Sequence, residues 1–173
     1  AGASLELQGN ITIFGEALTL NGVGASSAGA LRNLSGNNIV TGAITLASAS
    51  TIQSDAGTLN INGGIGGAFA LTVEGAGNTA INGIVGTGAG TIIKNDAGTL
   101  TLTNANTYTG ATTINAGTVT VTNATGLGTT AGTTTIANNA RLTAEDTDFI
   151  GNEAHAYGAF GPLKGNGGAI FVN

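Results

Sequence analysis

The residues best equipped for chemistry lie near the C-terminal end: Glu145, Asp146, Asp148 and Glu153, followed by the single histidine, His155. Strand-like alternation through Glu145-Asp146-Thr147-Asp148 would set Asp146 and Asp148 on one face. Two carboxylates so placed suit glycosidic hydrolysis, one as acid and the other as base or nucleophile. Solenoid enzymes that cut polysaccharides surround such a pair with further acids, histidine and basic residues, whereas Arg141 is the only base near this one. The chain is therefore not expected to be an enzyme, and the plain reading of the cluster is a solvated acidic edge. Calcium is the other chemistry open to Asp146, Asp148 and Glu153, because hard cations gather several oxygens. No EF-hand spacing is present. The stretch nearest to a calcium β-roll, GGIGGAFAL at 63–71, has Gly67-Ala68 where the ligand aspartate should stand. His155 alone reads as a surface or packing residue. Gly86 and Gly88 precede no helix, so they make no phosphate cradle. No cofactor is expected.

The elements that would position these groups are unusual in composition. Charged residues make up 8% of the chain, against about 25% in an ordinary soluble domain. The apolar fraction is nonetheless 41%, which excludes the low-hydrophobicity, high-charge class of disordered chains. The polar surface must then be Thr, Asn, Ser and Gly, residues of strands and tight turns. The net charge of −5 leaves only Arg32, Lys94, Arg141 and Lys164 as bases, so nucleic acid and anionic lipid are poor partners. With no cysteine, neither a disulfide framework nor a Cys-based zinc site can form. No apolar run approaches the roughly 18 residues of a membrane helix, so no direct membrane insertion is expected of this segment. No signal peptide stands at Ala1, and the opening AGASLELQGN already reads as strand. The expectation is a segment of something longer.

Internal similarity points to the architecture. The string DAGTL occurs at 55–59 and again at 96–100, within TIQSDAGTLNI (51–61) and TIIKNDAGTLTL (91–102), and NAGTVTV follows at 115–121. Weaker relatives are ALTLNG at 17–22, AITLAS at 43–48 and ALTVEG at 70–75. Steps near 20 and 41 are one and two turns of a common coil. Each unit alternates aliphatic and polar residues, as in Leu100 and Leu102 among Thr99, Thr101 and Thr103, and Gly- and Asn-rich breaks separate the units. A lone coil buries too little apolar surface to offset the entropy of ordering it, so coils must stack and share one core. The pattern predicts an all-β chain: a right-handed parallel β-helix of about 20 residues per coil, with eight or so coils rising roughly 4.8 Å each. An antiparallel sandwich is the alternative. Residues 1–143 read as regular coils and 144–173 as loop-rich coils of the same solenoid.

The segment GAGTIIKNDAGTLTLTNANTYTGATTINAGTVTV (88–121) resembles the passenger-associated transport repeat of bacterial autotransporters. The likeness is carried by Lys94, Gly98, Leu100, Leu102, Asn106, Tyr108, Gly110, Thr113, Ile114, Gly117 and Val119; Ala111 departs from it, where that family commonly has a second glycine. Near the C-terminal end, Phe149-Ile150-Gly151-Asn152 and Gly167-Gly168-Ala169-Ile170 resemble the FxxN and GGAI motifs of the polymorphic outer-membrane proteins, and Phe171-Val172-Asn173 resembles the start of another FxxN. Both resemblances imply a β-helical passenger exported to the bacterial cell surface, with a structural or adhesive role. The implied partner is a host or cell-surface receptor or glycan, and coil stacking would permit self-association. A repeat subunit of an extracellular fibre or sheath ranks second, and a carbohydrate-active β-helix third.

Several side chains carry narrower expectations. Tyr108 is expected to pack in a corner, Asn104, Asn106 and Asn123 to make turns or amide ladders, and Phe14, Phe69, Phe149, Phe160 and Phe171 to fill core or cap. The threonine rows at 99–103 and 118–122 would suit ice binding if every coil repeated them. Thr58, Asn60 and Asn62 in one coil and Thr72 with Glu74 in another break the array. The loop-rich stretch 145–165, with Tyr157, Pro162 and Lys164, is the expected functional excursion.

Overall fold

The computed structural model describes residues 2–145 and the strand Ala154–Ala156, and within them it is a parallel β-solenoid. Three sheets form the walls. Sheet A stacks eight strands: Leu5–Gln8, Leu31–Ser35, Ser50–Ser54, Leu71–Glu74, Ile92–Lys94, Thr112–Ile114, Thr134–Ile136 and Ala154–Ala156. Sheet B stacks seven, Thr12–Ile13, Asn37–Val40, Thr58–Ile61, Asn78–Ile81, Thr99–Leu102, Thr118–Val121 and Arg141–Ala144. Sheet C has four: Leu18–Leu20, Ile44–Leu46, Ile65–Gly66 and Val85–Gly86. The first four coils visit A, B and C in turn, the later ones A and B, and every strand pair is parallel. The one helical turn among the described residues is a 3₁₀ turn at Ala25–Ser27, inside the longer first coil.

Register sets the repeat. On sheet A, Ile52 lies beside Val73, Val73 beside Lys94 and Lys94 beside Ile114, steps of 21, 21 and 20 residues. On sheet B the DAGTL echo spans two coils, because Leu59 pairs with Thr79 and Thr79 with Leu100. The weaker sequence relatives belong to different walls: ALTLNG and AITLAS supply sheet C, and ALTVEG supplies sheet A. The equation of Thr72 and Glu74 with the threonine rows is therefore corrected. Those two residues lie on sheet A, and the row below Thr99 and Thr101 is Asn78 and Ala80. Period-2 alternation alone cannot tell one wall from another, since all three share it.

Inward columns of aliphatics make a single core along the solenoid axis, running through Leu31, Ile52 and Val73 on one wall and Ile61, Ile81, Leu102 and Val121 on the next. Aromatic residues contribute less to it than expected. Phe14 is 85% exposed, because it follows the inward-facing Ile13 and so falls on the outward side beside Thr41. Phe69 is also exposed. Phe149, Phe160 and Phe171 lie outside the described residues.

Two polar features interrupt the aliphatic columns. Asn33 and Asn38 are buried where the chain turns from sheet A to sheet B. Asn38 Nδ2 donates to Asn33 Oδ1 and to Ser35 O, and Asn33 Nδ2 donates to Ser54 Oγ and Ala56 O at 3.0 and 2.9 Å. This network satisfies corner carbonyls from within. Thr79 stands between Leu59 and Leu100 with its hydroxyl buried and unpartnered. An unsatisfied buried hydroxyl costs about 1–3 kcal/mol, and valine has the same shape without it. Thr79→Val should raise the thermal midpoint, a gain of about 1 kcal/mol, measured by circular dichroism melting; a lower midpoint would show that the hydroxyl has a role in the fold.

Candidate functional site

The residues that single out the 88–121 stretch gather at two corners of adjoining coils. Lys94 ends a strand of sheet A and occupies an inward column between Val73 and Ile114. It is 1% exposed. Its aliphatic stem substitutes for a core side chain, and its ammonium donates to the backbone carbonyls of Asn95 and Asp96, the latter at 2.8 Å. Burial pushes its pKa below the usual lysine value, and the nearby charges of Asp96 and Glu74 offset part of that effect.

The two identical DAGTL strings turn differently. Both DAGTL segments turn the same corner from sheet A to sheet B. In the first, the positive φ falls on Gly57, at 74°, while in the second it falls on Asp96, at 58°. The path from Ile52 to Leu59 also holds one residue more than the path from Lys94 to Leu100, although each pair occupies equivalent register positions. The path from Val73 to Thr79 in the coil before is as short as that from Lys94 to Leu100, and its left-handed residue, Gly75, stands at the place of Asp96; at this corner Lys94 adds donation to the Asn95 and Asp96 carbonyls. Asp96 is then held by accepting a hydrogen bond from Gly75 N–H at 3.0 Å. The aspartate tolerates a conformation that most residues avoid.

The second corner replaces a strand. Sheet C stops at Val85–Gly86, and Asn106 takes over there. Its Oδ1 accepts from Val85 N–H in the coil before at 2.8 Å, and its Nδ2 donates to Gly126 O in the coil after at 2.6 Å. Its own N–H donates to Thr125 O, and Thr107 N–H donates to Val85 O. One side-chain amide thus does the work of a peptide unit across three successive coils. Tyr108, 0% exposed, sends its ring through the core, and its hydroxyl meets Thr112 Oγ1 at 2.7 Å on sheet A. Gly128 makes room on the far side: a Cβ there would sit 2.4 Å from Tyr108 O and 3.0 Å from its ring carbons. Gly98 and Gly110 are required for close approach, with a Cβ meeting Gly77 O at 1.9 Å and Gly90 O at 2.2 Å. Leu100 and Leu102 are buried core residues of sheet B, and Gly117, with φ 70°, turns the following coil from sheet A to sheet B.

Residues 92–121 match the family model of the passenger-associated-transport-repeat. No curated protein and no solved structure matches the chain. The matched stretch is 30 of 173 residues, and it contains Lys94, Asn106 and Tyr108 together with Gly98, Gly110 and Gly117. The repeat and the solenoid that carries it fit an autotransporter passenger stalk. In this chain the repeat acts as a clasp: it ties its own coil to its neighbours through groups buried from water.

The other site expectations fall differently. Asp146, Asp148, Phe149, Asn152, Glu153 and the Gly167-Gly168-Ala169-Ile170 string lie outside the described residues, apart from which Glu145 is exposed. Among the described residues no group of three or more His, Asp or Glu side chains could hold a metal ion, and no helix is long and apolar enough to cross a membrane. The amide ladders are made by residues the sequence did not single out: Asn82 donates to Asn62 Oδ1 at 2.8 Å and Asn115 to Asn95 Oδ1 at 2.9 Å. Asn104 donates to Asn82 O instead, and Asn123 closes a local turn with Thr125. Arg32 bridges Glu6 at 3.1 Å and Asp55 at 2.6 Å across three coils of sheet A. The signal for that triad was available in principle, but only once the coil register was known.

Two predictions follow from this chemistry. Lys94→Met keeps the volume of the side chain but leaves two corner carbonyls without donors, and it should lower stability by about 1–3 kcal/mol in thermal melting. Burial raises the Tyr108 pKa from 10.0 to about 12, despite the hydrogen bond with Thr112. The unfolded chain ionises first, so stability is full below pH 10.0 and falls as pH climbs towards about 12. Alkaline melting curves should show that loss. Tyr108→Phe should be less stable at neutral pH by about 1 kcal/mol and show a flatter alkaline limb.

Proposed function

We propose that this chain is a length of an exported, surface-displayed autotransporter passenger, a stalk whose side faces and loops serve adhesion. The observation that carries the reading is the three-coil clasp at Asn106, braced within its own coil by Tyr108 and lying within the stretch that matches the transport repeat. A stalk must resist unravelling from any one coil, and buried links between coils supply that resistance. The FxxN-like Phe149–Asn152 and GGAI-like Gly167–Ile170 strings support the same placement at the bacterial cell surface. Imaging and gel filtration of the 173-residue chain should give discrete rods about 40 Å long. Long ordered filaments would transfer the function to fibre assembly, and release of sugar from acidic glycans would transfer it to catalysis.

The adhesive surface best suited to this role is the outer side of sheet B. Its outward columns run through Thr58, Asn78, Thr99 and Thr118, through Asn60, Ala80, Thr101 and Thr120, and through Asn62, Asn82, Thr103 and Thr122. No charge interrupts them before Arg141 and Glu145 at one end. A partner, whether a receptor or a glycan, would be held by hydroxyls, amides and shape. Adhesion of chain-coated beads to cells should therefore change less than about twofold between about 0.05 and about 0.5 M salt, a range over which exposed ion pairs are screened out. Steep loss with salt would place the contact on charged groups elsewhere.

A further inference from the structure

Among the described residues the dipeptide Asn-Gly stands at three corners: Asn21-Gly22, Asn62-Gly63 and Asn82-Gly83. The glycines have reasons of their own to be there. A Cβ on Gly63 would lie 1.9 Å from Gly42 O, one on Gly83 would lie 2.1 Å from Gly63 O, and Gly22 has φ 88°. Packing and backbone conformation thus force the least hindered residue to follow each asparagine, and that is the arrangement in which a backbone nitrogen most readily reaches a side-chain amide.

The three corners are not equivalent. Asn21 and Asn62 are exposed. Neither Gly22 N–H nor Gly63 N–H makes a hydrogen bond among the described residues. At both sites the side-chain carbonyl accepts one hydrogen bond, from Ser48 Oγ at 2.7 Å for Asn21 and from Asn82 Nδ2 at 2.8 Å for Asn62. Asn82, by contrast, is held on several sides. Its Nδ2 donates to Asn62, its Oδ1 accepts from Thr103 Oγ1 at 3.2 Å and its backbone carbonyl accepts from Asn104 Nδ2 at 3.1 Å. Gly83 is buried, and its N–H donates to Ile61 O at 3.3 Å.

We propose that Asn21 and Asn62 are self-modification sites, converting to aspartate and isoaspartate in the folded protein, while the same dipeptide at Asn82 is protected by the stack. The glycine nitrogen bonds to the asparagine Cγ, the Cγ–Nδ2 bond breaks, and the glycine amide proton leaves with the side-chain nitrogen as ammonia. Water then opens the cyclic imide at either carbonyl, giving aspartate or isoaspartate. No enzyme, metal or oxidant is needed. Each event adds one negative charge to a chain of net charge −5. At Asn62 that charge arrives on the neutral outer face of sheet B, beside Asn82. The isoaspartate product also lengthens the backbone by one carbon, at a corner where Gly63 has no space to shift towards Gly42.

The test is time-resolved peptide mapping of the full chain, native and in denaturant at the same pH and temperature. Asn21 lies in the tryptic peptide ending at Arg32, and Asn62 and Asn82 share the peptide 33–94, where fragmentation separates them. In the native protein, Asn21 and Asn62 should convert about tenfold or more faster than Asn82, the factor that breaking a hydrogen bond or two imposes on a rate. In denaturant the three rates should converge, because only the shared dipeptide remains. Native conversion of Asn82 as fast as that of Asn62, or a native chain in which neither Asn21 nor Asn62 converts, would overturn the proposal. The double variant Asn21→Gln with Asn62→Gln, which enlarges the imide ring and disfavours closure, should lose native conversion at both positions.

Discussion

Everything in this molecule depends on one constraint: the backbone groups of each coil are satisfied by the coils on either side of it. A coil of about 21 residues has no hydrogen-bonded partner strand of its own, because its strands lie on different walls. Parallel pairing between coils supplies those bonds and lays the aliphatics in columns. The repeat length then becomes a structural quantity. A corner can lose a residue, as the one after Val73 does relative to the one after Ile52, only if the strands on both sides keep their register.

The polar residues buried in the core follow from that constraint. Corners leave carbonyls and amides that the ladder does not reach, and an unpaired polar group out of water is costly. Asn33 and Asn38 solve the problem near one end, Lys94 solves it in the middle, and Asn106 solves it where sheet C stops. Each presents a side chain where a backbone partner is missing. Lys94 is the most expensive of the three in desolvation, and it lies among two carbonyls with Asp96 and Glu74 near by, an arrangement that keeps a buried ammonium tolerable. The clasp in the matched repeat is thus continuous with the way the whole solenoid is held together. Its distinction is that the one amide of Asn106 links three coils, while the phenol of Tyr108 braces its own coil from within the core.

Much of the fold was legible in the residues. The DAGTL echo, the period-2 alternation and the Gly- and Asn-rich breaks led to stacked coils of the right length, and the structure has them. The candidate site was legible as a set of residues and not as a mechanism. Tyr108 and Asn106 could be singled out by resemblance, but nothing in their spacing says that one amide reaches both Val85 and Gly126 or that the phenol crosses to Thr112. The errors share a cause. Alternation groups Thr72 with the threonines of sheet B and assigns Phe14 to core or cap, because it reports which side of a strand a residue occupies in relative terms only. Which wall a strand belongs to is decided by the strands it meets.

The sequence by itself determined that this chain must stack: too few aliphatics per coil to stand alone, too few charges for a helical surface, and glycines wherever neighbouring backbones approach closely. Those are local properties, since side-chain volume, alternation and φ preference are set within a few residues. Only the tertiary structure decided which residues share a column, why identical DAGTL strings take different turns, and why Asn62 lies open while Asn82 is enclosed. Those outcomes depend on groups about 20 residues away along the chain and one coil away in space, and no local pattern records such a distance.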